Sequence, residues 1–128
     1  MTRFPTALAA LSVSTLLALG APAYASQGGD DRVIRTGTCT DGAHWKLKVK
    51  DDDGRLEVEG EVDSNVSGQT WRWRIKDDGD VAASGSATTG GRSGSFSVER
   101  RIADRAGTDH VTFRASHGGE VCRGSIAF

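Results

Sequence analysis

Three stretches of the chain alternate polar and apolar residues without interruption. They are His44-Trp45-Lys46-Leu47-Lys48-Val49-Lys50, Leu56-Glu57-Val58-Glu59-Gly60-Glu61-Val62 and Trp71-Arg72-Trp73-Arg74-Ile75-Lys76. A period of two is the pattern of strands with one face in a core and the other in water. Asp51-Asp52-Asp53-Gly54 separates the first two runs and has turn composition. Setting Lys50 opposite Arg55 brings Lys48 to Glu57, Lys46 to Glu59 and His44 to Glu61. On the other face it brings Val49 to Leu56, Leu47 to Val58 and Trp45 to Gly60. Folding the third run back with Val62 opposite Trp71 makes outer rows Lys46-Glu59-Arg74 and Lys48-Glu57-Lys76. Inside, it seats Gly60 between Trp45 and Trp73. A slip of one residue would drive charge into the core. In this register Glu57, Glu59 and Glu61 neutralise Lys46, Lys48, Lys50, Arg72, Arg74 and Lys76, which argues for a solvated face rather than a phosphate-binding one.

The second half continues in strands. Asp77-Asp78-Gly79-Asp80 reads as another turn, and Val81 to Thr89 as an edge or crossing strand rich in small residues. Ser95 to Ile102 places Phe96 and Val98 inward, and Ala103 to Gly107 is a polar connection. Thr108 to Ser116 and Glu120 to Phe128 form a last hairpin through Ser116-His117-Gly118-Gly119, with Phe113 opposite Cys122 and Val111 opposite Gly124. Arg35 to Thr40, preceded by Val33-Ile34, opens the domain. Seven to eight strands with turns every 8–12 residues or so, and no helical period, predict an all-β, two-layer antiparallel β-sandwich. A closed barrel is the other architecture of this kind.

The first 25 residues break this pattern. Arg3 and the amino terminus precede an apolar run from Ala7 to Leu19, then Gly20, Pro22 and Ala23-Tyr24-Ala25. This is the layout of a Sec-type signal peptide cleaved after Ala25. The apolar run, about 13 residues, is short of the roughly 20 that cross a bilayer as a helix. Residues 26–31 then form a polar, flexible N-terminal lead-in, and 32–128 a single domain. The expectation is a secreted protein with no membrane attachment in the mature form.

Charge and chemistry narrow the function. With 16 Lys and Arg against 17 Asp and Glu, the formal net charge is -1, too balanced for nucleic-acid binding through bulk positive charge. Cys39 and Cys122 are the only cysteines. In an exported chain such a pair reads as a disulfide, since neither Cys-x-x-Cys nor a four-ligand zinc pattern is present. The bond would close a loop of about 84 residues and contribute about 4–5 kcal/mol, less any strain. His44, His110 and His117 have no metal-ligand spacing. Gly91-Arg92-Ser93-Gly94-Ser95 misses Gly-x-Ser-x-Gly at its last position. Asp51 and Asp53 begin like a calcium loop, but Arg55 and Leu56 fall where a ligand and a Gly belong. Asp77, Asp78 and Asp80 read as turn residues. Asn65-Val66-Ser67 matches the N-glycosylation sequon.

The motifs Gly37-Thr38-Cys39, Trp45-Lys46-Leu47-Lys48, Glu57-Val58-Glu59, Gly68-Gln69-Thr70-Trp71, Ser93-Gly94-Ser95-Phe96 and Gly119-Glu120-Val121-Cys122, in this order behind a signal peptide, resemble a group of small secreted proteins of actinomycete bacteria. The resemblance covers nearly the whole mature chain. It implies an immunoglobulin-like sandwich with one disulfide and carries no functional residues. Two departures from true immunoglobulin domains are plain: Trp45 follows Cys39 closely, and no tyrosine corner can form without a Tyr in the mature chain. The reading is of a non-enzymatic extracellular interaction or structural domain, without cofactor or metal, whose partner is an extracellular protein or a cell-wall glycan. One alternative is a carbohydrate-binding or cell-wall-binding module, which needs exposed aromatics. Another is a protease inhibitor presenting Asp63–Thr70 or Gly90–Gly94.

Overall fold

The computed structural model describes residues 31–128. The expected signal peptide, and the lead-in up to residue 30, lie outside the described residues. Eight strands follow one another: β1 (Arg32–Thr38), β2 (His44–Asp52), β3 (Arg55–Asp63), β4 (Thr70–Asp77), β5 (Asp80–Thr88), β6 (Ser95–Ala103), β7 (His110–His117) and β8 (Glu120–Ala127). They form two antiparallel sheets, β1-β2-β3-β6 and β5-β4-β7-β8. The fold is the expected all-β, two-layer sandwich. The first sheet contributes buried Leu47, Val49, Leu56, Val58 and Val62, and the second Trp71, Ile75, Val111, Phe113 and Ala115.

Which residues face inward is as the alternation predicts, but two hairpin registers differ. Lys48 pairs with Glu59 and Val49 with Val58; Phe113 pairs with Gly124 and Ala115 with Cys122. Each is two residues from the expected register. The cause is turn length. Asp53 and Gly54 both have positive φ (49° and 79°), as do Asp78 and Gly79 (49° and 86°). These are two-residue type I′ turns, whose twist matches that of the flanking strands. Asp51 and Asp52 therefore remain in β2 instead of entering a longer turn. The last hairpin likewise turns through Gly118-Gly119 alone. A slip of two preserves the face of every side chain.

The third strand run corrects the expectation more deeply. β4 does not pair with β3. Asp63 to Thr70 crosses to the second sheet, where β4 lies between β5 and β7, while β6 takes the place beside β3. Each sheet has one apolar face, and each covers the other. The expected rows Lys46-Glu59-Arg74 and Lys48-Glu57-Lys76 do not form, and Gly60 does not separate two indoles. Instead Phe113, Trp45 and Trp73 each rest over a glycine. A Cβ on Gly60 would meet Phe113 at 2.4 Å, on Gly124 would meet Trp45 at 2.4 Å, and on Gly85 would meet Trp73 at 2.9 Å.

The disulfide joins Cys39 to Cys122, as read from the sequence. It ties the β1–β2 connection to β8. Thr40 and Val121 reinforce it with a backbone hydrogen bond of 3.0 Å. Glu120 does so by accepting from the backbone N–H groups of Asp41 and Ala43 at 3.0 Å each.

Candidate functional site

Two side-chain groupings stand out, one at an end of the sandwich and one on a flat face. The first grows from the inward alternation of two neighbouring strands. In β4 the inward series Trp71, Trp73, Ile75 continues to Asp77. In β7 the series Ala115, Phe113, Val111 continues backwards to Asp109. Both carboxylates are buried, and with exposed Asp78 they bring oxygens within 4.8 Å of one another. Asp109 accepts from the backbone N–H of Arg105 at 3.2 Å. The Arg105 guanidinium lies above, 3.0 Å from Asp80 and 3.9 Å from Asp77. Burial, then a hydrogen bond to Asp109 and the charges of Asp109 and Asp78, raise the Asp77 pKa to about 7. Burial also opposes the charge on Asp109, but hydrogen bonds from Asp77, the Arg105 backbone and Asp104 carry its pKa below the ordinary value. Below about pH 7 the two neighbouring groups therefore carry one proton, on Asp77, beside an ionised Asp109. Arg105 supplies a cation at the mouth of this acidic group, while the Asp77 oxygens are buried without a hydrogen-bond donor from elsewhere in the fold.

The second grouping is the outer face of the second sheet. Arg72, Arg74 and Lys76 point outward from β4. Arg114 of β7 pairs with Arg74, and Arg123 of β8 pairs with Arg114, so three guanidinium-bearing residues cross three strands in one row. Ser84 and Ser86 of β5, Thr112 and Ser116 of β7 and Ser125 of β8 fill neighbouring outward positions. No strand position on this face carries Asp or Glu. Among the described residues none of these five cations lies within ion-pair distance of an acid. Arg74 stands between two shallow depressions. One, of about 500 Å³, is lined by Lys76, Thr112, Arg114, Arg123 and Ser125, with Phe113 and Gly124 at its base; the other, of about 460 Å³, by Arg72, Val81, Ser84 and Ser86, with Trp73 and Gly85.

The other sheet is different. There Glu59 bridges Lys46 at 3.7 Å and Lys48 at 3.1 Å, and Asp52 holds Arg101 at 2.9 Å. The cancellation expected for all six basic residues thus operates on β2 alone, because β4 left for the other sheet. Arg72, Arg74 and Lys76 are left without the acidic rows expected to neutralise them. Arg114 and Arg123 join them on this face, each at an outward position legible in its strand's alternation.

The remaining sequence candidates are dispersed. His44 and His110 are exposed at opposite ends of the molecule. His117 lies 2.8 Å through Nδ1 from the Thr70 carbonyl and packs on Trp71, with ring centroids 5.4 Å apart. Ser93 meets only Ser95. Asp53 is a turn residue and Asp51 a strand end. Asn65 is exposed in the β3–β4 connection. That connection is braced against the β5–β6 connection: Thr89 Oγ1 donates to the Val66 carbonyl at 2.6 Å and accepts from the Gln69 N–H at 3.0 Å. The exposed Val66 side chain thus sits on a carbonyl turned inward. Trp71 and Trp73 are buried, and Trp45 packs against the core. No helix among the described residues is long and apolar enough to cross a membrane. No protein-family model matches the chain, nor does any curated protein or solved structure.

Proposed function

We propose that the chain is an exported, non-catalytic binding domain that engages an extracellular partner with the outer face of its second sheet. The observation that carries this reading is the row Arg74-Arg114-Arg123, flanked by Arg72 and Lys76 and free of acidic neighbours. Like charges gathered on one face repel one another and gain nothing for the fold. A binding partner of opposite charge relieves that repulsion and is drawn in by it. The disulfide and the leader-like first 25 residues support work outside the cell.

The strand order also supports an immunoglobulin-like classification. With β2, β3 and β6 as strands A, B and E, and β4, β5, β7 and β8 as C, C′, F and G, the two sheets read A-B-E and C′-C-F-G. β1 is then an added edge strand. The bond from Cys39 to Cys122 links the region before A to G, not B to F. Trp71 and Trp73 are buried on the strand that takes the place of C.

The test immobilises the mature protein and a variant carrying Arg74→Gln, Arg114→Gln and Arg123→Gln, and compares what each retains from culture supernatant and cell-wall fragments. Material retained by the parent, lost by the variant and released by salt supports the reading. Equal retention by both overturns it.

A further inference from the structure

Resting on that reading, we infer that the occupant of the second sheet's outer face is an acidic polysaccharide, laid across the strands along Arg74, Arg114 and Arg123. The charge pattern asks for a ligand with regularly repeated anions. Neighbouring strands lie about 4.7–4.9 Å apart, so the row presents one guanidinium at each such step. That is comparable with the length of one sugar residue, and a glycan with one carboxylate per residue matches it. Arginine's planar fork pairs with a carboxylate through two parallel hydrogen bonds, which a lysine cannot do. Four of the five cations are arginines.

The rest of the face selects among polyanions. Ser84, Ser86, Thr112, Ser116 and Ser125 stand between and beside the cations. Their hydroxyls both donate and accept, as sugar hydroxyls require. Single-stranded nucleic acid needs aromatic platforms on which bases stack; on this sheet Trp71, Trp73 and Phe113 are buried in the core, and the one exposed ring, His110, stands at the end of β7 away from the arginine row. An anionic bilayer favours apolar side chains that enter the headgroup region. On this face the only large apolar residues are Val81 and Val121, on the two edge strands. The absence of exposed Trp also separates this mode from ring stacking on neutral sugars: recognition runs through charge and hydroxyls.

The experiment titrates the mature protein with four immobilised probes at low salt: polygalacturonate, neutral dextran, oligo(dT) of matched charge, and vesicles containing phosphatidylglycerol. The expected result is binding to polygalacturonate in preference to the other three. It weakens about tenfold or more in the Arg74→Gln, Arg114→Gln, Arg123→Gln variant, with a shallower salt dependence, because three fewer counterions are exchanged. A control variant removes three cations from the first sheet, Arg32→Gln, Lys46→Gln and Lys50→Gln, and changes affinity by less than about twofold, since only the net charge differs. Oligo(dT) or vesicles binding as tightly as polygalacturonate overturn the inference, as does no binding to any probe. Equal weakening by both variants overturns it too, because bulk charge alone would then account for binding. If the three arginines govern retention from culture material but polygalacturonate is not preferred, this inference fails and the binding-face reading stands.

Discussion

Gly60 of β3 lies directly beneath Phe113 of β7, so close that a Cβ at position 60 would stand 2.4 Å from the ring. Phe113 is fully buried. Gly60→Ala is therefore expected to destabilise the domain by about 1–3 kcal/mol, the usual range for overpacking a filled core. Urea unfolding measures it. Adding Phe113→Leu to Gly60→Ala should recover part of the loss, so the two changes together cost less than their sum. Strict additivity would mean that the strain arises elsewhere.

The same pair marks what could be read from the sequence and what could not. That Gly60 faces inward and makes room for an aromatic follows from the alternation of β3. Which aromatic occupies the room does not. A period of two assigns a face but not a neighbour, and Lys48 is as well matched to Glu57 as to Glu59. Two-residue turns at Asp53-Gly54 and Asp78-Gly79 are legible as Asp-Gly pairs with strong hairpin preference; because Asp51 and Asp52 stay in β2, the first register lies two residues from the one a four-residue turn gives. The passage of β4 to the second sheet depends on sheet-on-sheet burial, a tertiary fact with no local signal. The basic face was hidden for that reason. Asp77 and Asp109 are more accessible: each is the next inward position after an unbroken apolar series, although Asp77 has turn composition around it and Asp109 lies unremarked in the stretch from Thr108 to Ser116.

Asp77 and Asp109 give the domain a pH dependence of definite sign. Unfolded Asp77 titrates near 3.8 and folded Asp77 at about 7. Between those values the native chain keeps a proton that the unfolded chain has released, so stability falls as pH rises through this window. Asp77→Asn keeps a hydrogen-bond donor toward Asp109 without the titration. Unfolding free energies at pH 4.5 and pH 7.5 should therefore lie closer together in Asp77→Asn than in the parent. Asp109 acts at the acid side: its lowered pKa contributes stability above the unfolded value, which is lost as pH falls through the folded one. Identical slopes for parent and variant would show that the two carboxyl groups do not share a proton.

Thr89 joins two connections that no covalent bond braces. Its hydroxyl donates to the Val66 carbonyl and accepts from the Gln69 N–H, and the residue is buried. Thr89→Val has nearly the same shape but leaves the Gln69 N–H without its acceptor and the Val66 carbonyl with only the Ser64 hydroxyl, at 3.2 Å. A loss of about 1–3 kcal/mol is expected, the penalty for leaving buried polar groups unpaired. Thr89→Ser retains the hydroxyl and should lose less. Hydrogen exchange at Gln69 gives a local reading: its amide should exchange faster in Thr89→Val and remain protected in Thr89→Ser. Equal protection in both would mean the serine hydroxyl is not needed there.

The bond between Cys39 and Cys122 acts mainly on the unfolded chain. It spans a sequence separation of 83 residues, so its removal frees nearly the whole domain to expand when unfolded. Replacing both cysteines by Ala should lower stability by about 4–5 kcal/mol on the chain-entropy argument. The native clamp survives the change, because Thr40 still meets Val121 and Glu120 still accepts from Asp41 and Ala43. Two readouts then separate the mechanisms. If the effect lies in the unfolded state, the urea m-value rises as the midpoint falls, since a chain without the cross-link exposes more surface. If the midpoint falls with m unchanged, the bond works by holding the folded β1–β2 connection against β8, and the hydrogen bonds around Glu120 are too weak to replace it.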